Sequence, residues 1–199
     1  MSEDIYAPPE SDVDFTATNP DGVQFYVVSL RKFFLLSILT MNLYYVYWFY
    51  RNWRDVKQSI GGDEWPVMRA IFYIFFTHSL LGLVNDKLED TQTDFKWSPR
   101  TTATAFVLLT LVANIIANFP GEGGFGLWAI GIGLGAVPIL AILLSKGQAA
   151  INIASGDPDG SSNNALTVAN WLWMLLGVLF WLSNLFVVYA LIVAPEIVG

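Results

Sequence analysis

Cysteine is missing from this chain altogether, and histidine occurs once, at His78. The first absence excludes disulfides, thiolate metal sites and lipidated cysteine anchors. A single imidazole, without clustered carboxylates beside it, builds no convincing zinc or iron site, so a packed or interfacial His78 is expected. Charge is also scarce: Asp, Glu, Lys and Arg make up 14% of the 199 residues, against 54% hydrophobic. None occurs from Thr101 to Gly121, from Gly123 to Ser145, or from Gly160 to Pro195. A bilayer core of about 30 Å is crossed by about 20 apolar helical residues, each adding about 1.5 Å. These runs therefore predict three spans, near 101–119, 127–145 and 168–193.

Motifs for chemistry are lacking too. No G-x-S-x-G, H-E-x-x-H or phosphate loop occurs. Gly121-Glu122-Gly123-Gly124-Phe125-Gly126 matches G-x-G-x-x-G in letters, but it follows Pro120 between two apolar helices and has no preceding strand, so it reads as a hairpin loop. Asp157-Pro158-Asp159-Gly160 lacks the further ligands of a calcium loop and reads as a turn. The sequence thus suggests no catalytic residue, metal or cofactor. A net charge of -7 argues against nucleic acid as a partner. Six of the 17 acids fall in the first 21 residues, where there is no Lys or Arg. Residues 1–30 are expected to form an acidic, disordered tail rather than a signal peptide.

Aromatic residues are plentiful. Seven of the ten positions from Tyr44 to Trp53 are aromatic, and Arg51 and Arg54 flank the end of the block. Amphipathic rings favour the hydrocarbon–headgroup boundary, where arginine can snorkel to phosphate. Tyr44, Tyr47, Trp48, Tyr50 and Trp53 are therefore expected to be interfacial anchors, and Arg51, Arg54, Lys57 and Arg69 contacts for lipid headgroups or an acidic partner. A charge-free run puts a helix near 33–50, and Asp63-Glu64-Trp65-Pro66 starts a second, near 67–84. The pair either spans or forms a re-entrant or interfacial hairpin. The overall expectation is an all-α integral membrane protein of five membrane-embedded helices. An aromatic and basic hairpin with a polar linker (31–100) would precede a three-helix bundle (101–199).

Lys and Arg fix the orientation. None lies in 120–126 or after Lys146, so those segments are expected outside, with the N-terminus inside. Spanning by both early helices would leave six basic residues inside and four outside, whereas a hairpin keeps all ten inside. In the fourth helix, Gly131 and Gly135 share a face, and Gly133 pairs similarly with Ala129; both pairs suit close helix packing or a homo-oligomer. Asn114, Asn118 and Asn184 are expected to act as interhelical hydrogen-bonding groups, or alternatively to line a polar path.

The segment Phe25-Tyr26-Val27-Val28-Ser29 … Lys32-Phe33 … Thr40 … Tyr44 … Tyr47-Trp48-Phe49-Tyr50-Arg51-Asn52-Trp53, followed by Trp65-Pro66 … Arg69-Ala70-Ile71-Phe72, resembles an uncharacterised bacterial family. Its members are small multi-helix inner-membrane proteins carrying a domain of unknown function. Gln148 … Ile151-Asn152 sits where such proteins place a Q-x-x-I-N element, while Asn42 replaces the usual small residue before the aromatic run. The resemblance covers roughly 25–85 and implies a bacterial inner-membrane location but no activity. The expected role is a non-enzymatic accessory or scaffold in contact with lipid and protein. A small oligomeric channel or transporter is the alternative.

Overall fold

The computed structural model describes residues 22–63, 65–93, 95–118 and 124–193. The expected acidic tail before Gly22, the connection from Phe119 to Gly123 and the chain end after Val193 lie outside the described residues. The described residues form seven α-helices: α1 (Leu30–Leu39), α2 (Tyr44–Ile60), α3 (Pro66–Ile71), α4 (Tyr73–Asp90), α5 (Pro99–Ala117), α6 (Gly124–Ala154) and α7 (Val168–Val193). Among the described residues there is no strand.

Three of these helices, α5, α6 and α7, are long and apolar enough to cross a membrane. α5 begins where Ser98 caps Thr101 and Pro99 occupies the first turn. α6 is longer than expected. It runs nine residues past Ser145, to Ala154, because Lys146 ends the apolar run without ending the helix. α7 is apolar on every side, and Met174 and Gly177 are its buried residues. A helix apolar all round is covered by other protein or by hydrocarbon.

The expected continuous helix over 33–50 is instead two helices. α1 closes through a Schellman turn, in which Asn42 N donates to Ser37 O (2.7 Å) and Met41 N to Ile38 O (3.1 Å). Met41 and Asn42 both take positive φ, 49° and 67°. Asn tolerates that region, but Met enters it at a cost. Every N–H from Thr40 to Val46 is paired, Tyr44 N through Thr40 Oγ1 at 3.1 Å, so the turn can sit away from water. The expected 67–84 helix is also broken, at Phe72, where ψ turns to 34°. That kink separates α3 from α4 and lets Tyr73 stack on Phe49 at 5.1 Å.

α1 starts beside the end of α6 and the start of α7: Ser29 N reaches Asn163 O (3.3 Å) and Lys32 Nζ reaches Ala165 O (2.7 Å). Its far end meets the middle of α7. A Cβ on Gly177 would collide with Leu39 O, and Trp181 Nε1 donates to Ile38 O at 2.8 Å. α1 thus descends only about 15 Å beside α7 before the turn. α2 then returns, placing Tyr45 against Phe106 (5.6 Å) and Ser59 beside Gln24. One buried cluster draws on α1 to α6 and Met174, so a single core crosses residue 100.

The turn has an opposite signature from a helix under substitution. Met41→Gly relieves the left-handed strain and should leave stability unchanged or raise it by up to about 1 kcal/mol, whereas Met41→Ile should lower it by more than about 1 kcal/mol. In a continuous helix the glycine would instead cost about 1 kcal/mol. Unfolding in mixed micelles by increasing SDS reads the difference.

Candidate functional site

Residues 23–29 belong to no helix or strand and are mostly buried. A non-helical segment lacks the internal bonds of a helix, and no strand among the described residues pairs its backbone groups. Side-chain amides do so. Asn52 Oδ1 accepts from Tyr26 N (3.1 Å), and Gln148 Nε2 donates to Tyr26 O (3.3 Å). Asn152 takes both groups of Val28, donating to its carbonyl at 2.9 Å and accepting from its N–H at 3.3 Å. Asn163 Nδ2 donates to Val27 O (2.9 Å), and Ser59 Oγ accepts from Gln24 N (2.9 Å). Gln148 also donates to Asn152 Oδ1 (2.7 Å) and accepts from the Trp48 indole. Asn52, Gln148 and Asn152 are fully buried, and helical spacing at i, i+4 lets Gln148 and Asn152 reach the same segment.

This clamp explains the aromatic block. The buried stripe of α2 is Tyr44, Tyr45, Trp48, Phe49, Asn52, Trp53, Val56 and Ser59. Trp48 and Trp53 are completely enclosed, so neither anchors this chain at a lipid boundary as expected. Tyr44 is buried as well, leaving exposed Tyr47 and half-buried Tyr50 on the outer face. The four basic candidates have separate surroundings. Arg51 lies over the Tyr26 ring (4.4 Å) and donates to Tyr47 Oη at 2.9 Å. Arg54 pairs with Asp55 at 2.8 Å, Lys57 sits in the last turn of α2, and Arg69 covers Trp53 at 4.1 Å.

One cavity adjoins the clamp and another lies beside the Met41–Asn42 turn. The first, polar and of about 470 Å³, is lined by residues including Tyr26, Lys32, Tyr47, Arg51, Thr167 and Asn170. Lys32 is only 4% exposed, and burial pulls its ammonium below the ordinary lysine value. The other cavity, of about 590 Å³, lies between α2, α5, α6 and α7, and Asn42, Asn114, Gly133 and Asn184 are in its wall. Asn114 and Asn184 donate within their own helices, to Thr110 O and Phe180 O, and Asn118 Nδ2 donates to Asn114 O near the end of α5. None of these bonds joins two helices. Within the chain these glycines make no close approach: a Cβ on Gly131, Gly133 or Gly135 would meet nothing within 4 Å. Close approach occurs at Gly177, Gly160 and Gly147 instead. His78 joins α4 to α5 through Thr104 Oγ1 at 3.0 Å.

The loop between α6 and α7 holds Asn163 in place. Asp157 accepts from Ser161 N, Ser161 Oγ and Ser162 N, each at 2.9 Å, and the Ser162 N–H above all holds its carboxyl well below the usual range. Sequence reasoning missed Lys32, Asn52 and Asn163 as members of this site. Gln148 and Asn152 entered only through the resemblance, and their physical signal is an amide pair at i, i+4 on an otherwise apolar helix.

The molecule defined by this fold and site is all-helical among its described residues, with three helices fit to cross a membrane. No family model matches the chain, and no curated protein or solved structure matches it.

Asn152→Leu orphans two buried backbone groups and should cost about 1–3 kcal/mol for each. Asn114→Leu removes a bond within one helix and should cost under about 1 kcal/mol. SDS-driven unfolding of the two variants tests the ranking.

Proposed function

We propose that the protein is a non-enzymatic accessory or scaffold of the bacterial inner membrane, acting through lipid and protein contacts. In this reading α5, α6 and α7 span, while α1 and α2 form a re-entrant hairpin that enters from the cytoplasmic side and returns to it. The carrying observation is the paired turn at Met41–Asn42, set beside Gly177 and Trp181 near the middle of α7. Non-helical backbone is tolerated at membrane depth where protein surrounds it and its polar groups are paired. The hairpin keeps all ten Lys and Arg on one side, in line with the charge rule, and gives an N-in, C-out topology. The resemblance to the uncharacterised inner-membrane family agrees with this location. A binding role is supported by the way the buried amides are used: they are engaged with backbone, holding a rigid headpiece against the spans.

One observation favours a second reading, a small channel or transporter. Asn42, Asn114 and Asn184 converge on the 590 Å³ cavity, and Asn42 Oδ1 is buried with no partner among the described residues. Conductance through liposomes that depends on Asn114 and Asn184 would establish it over the scaffold reading.

Topology is testable on a chain that has no native cysteine. Single cysteines at Gln58, Thr91 and Ser162, all exposed, are expected to resist an impermeant maleimide in intact cells and to react in inverted vesicles. A cysteine appended at the C-terminus should do the reverse. Labelling of the Gln58 site from outside would replace the hairpin with two full spans.

A further inference from the structure

The cavity at Lys32 offers more than the general attraction of a basic surface for a bilayer. We propose that it is a binding site for a phosphate group, held between the Lys32 ammonium and the Arg51 guanidinium. The proposal deepens the lipid-contact role above and rests on that reading only for the source of the phosphate.

Lys32 satisfies two of its three donors with neutral acceptors, Asn163 Oδ1 and Ala165 O, each at 2.7 Å. No ion pair is found for it among the described residues, although it is 4% exposed. A buried ammonium without a counter-charge is unfavourable, and a bound anion removes that cost. Arg51 Nε is likewise buried without a partner among the described residues. The one carboxylate in the wall, Asp55, is far from neutralising both cations: it stands 3.9 Å from Arg51 but 2.8 Å from Arg54. With Asp55 drawn to Arg54, the cavity presents two cations. Tyr47, Thr167 and Asn170, which carry two hydroxyls and an amide, line the same wall. So many donors exceed what a two-oxygen carboxylate can accept, and they suit a tetrahedral anion with several acceptor oxygens.

Two molecules could supply that group: a glycerophospholipid or a soluble phosphate ester. The lipid is favoured by what adjoins the cavity. Immediately after Thr167, α7 exposes Val168, Trp171, Leu172 and Leu175, an apolar face on which acyl chains can lie while the headgroup occupies the cavity.

The test uses the purified full chain in a neutral detergent, with thermal unfolding and native mass spectrometry as readouts. The probes are phosphatidylglycerol, diacylglycerol with the same acyl chains, and glycerol 3-phosphate. Phosphatidylglycerol should raise the Tm and remain bound, and diacylglycerol should do neither. Lys32→Gln and Arg51→Gln should each weaken the lipid effect about tenfold or more. Thr167→Val should weaken it less, and remains informative if Lys32→Gln fails to fold. Lys96→Gln, away from the cavity, should behave as wild type. A Lys32-dependent Tm shift with glycerol 3-phosphate alone would support the site with a soluble ligand as its source. Phosphatidylglycerol binding that is indifferent to Lys32, Arg51 and Thr167, equally lost in Lys96→Gln, matched by diacylglycerol, or absent would overturn the proposal. A Lys32-dependent effect combined with outside labelling of the Gln58 site keeps this cavity and removes the hairpin. The opposite pair of results removes the cavity alone.

Discussion

The pairing of one non-helical backbone segment by buried side-chain amides is the constraint on which the rest of this structure depends. Residues 23–29 carry peptide groups that must find partners once helices close over them. Asn52 supplies one from α2, Gln148 and Asn152 supply several from α6, and Asn163 supplies another from the α6–α7 loop. Each bond is worth little alone, but a missing partner inside the core is costly. Satisfying the segment therefore fixes α2, the end of α6 and the following loop relative to one another.

Further geometry follows from that register. With Val28 held by Asn152 and Ser29 by Asn163, α1 has to start at the end of α6 and run down beside α7. Gly177 permits the approach, because any Cβ there would collide with the Leu39 carbonyl. The chain then turns at Met41 and Asn42 and returns as α2, whose aromatic stripe packs against the segment it helps to hold. Lys32 enters the same interior along with α1, so the cationic cavity is a product of the clamp. On the outer surface, α7 stays almost wholly exposed and apolar, as a helix in hydrocarbon does.

The three long apolar helices were legible in the sequence because hydrocarbon thickness imposes a length and a lack of charge that single residues report directly. The break between α1 and α2 was not. Leu39-Thr40-Met41-Asn42-Leu43 contains neither Gly nor Pro, and the first of its two left-handed residues is a methionine. Burial of Trp48 and Trp53 was equally hidden. The composition of that block suits a lipid boundary and an aromatic core alike, and only the distant Gln148 and the 23–29 segment decide between them. Clear periodicity was present in Tyr44, Tyr45, Trp48, Phe49, Asn52, Trp53 and Val56, which fall on one face of a helix beginning after the turn. Gly131 and Gly135 misled for the converse reason: small residues permit close packing, but they do not say which helix, if any, comes near.

The central claim is that residues 23–29 are locked by amide side chains rather than resting loosely on the helices. Hydrogen–deuterium exchange of the Tyr26 and Val28 amides, measured on the full chain in nanodiscs, tests it most directly. The account predicts slow exchange at both positions, comparable to the amides of α6 around Gln148 and lost at Val28 in Asn152→Leu. Exchange at the rate of an unstructured peptide in the unmodified protein would contradict it.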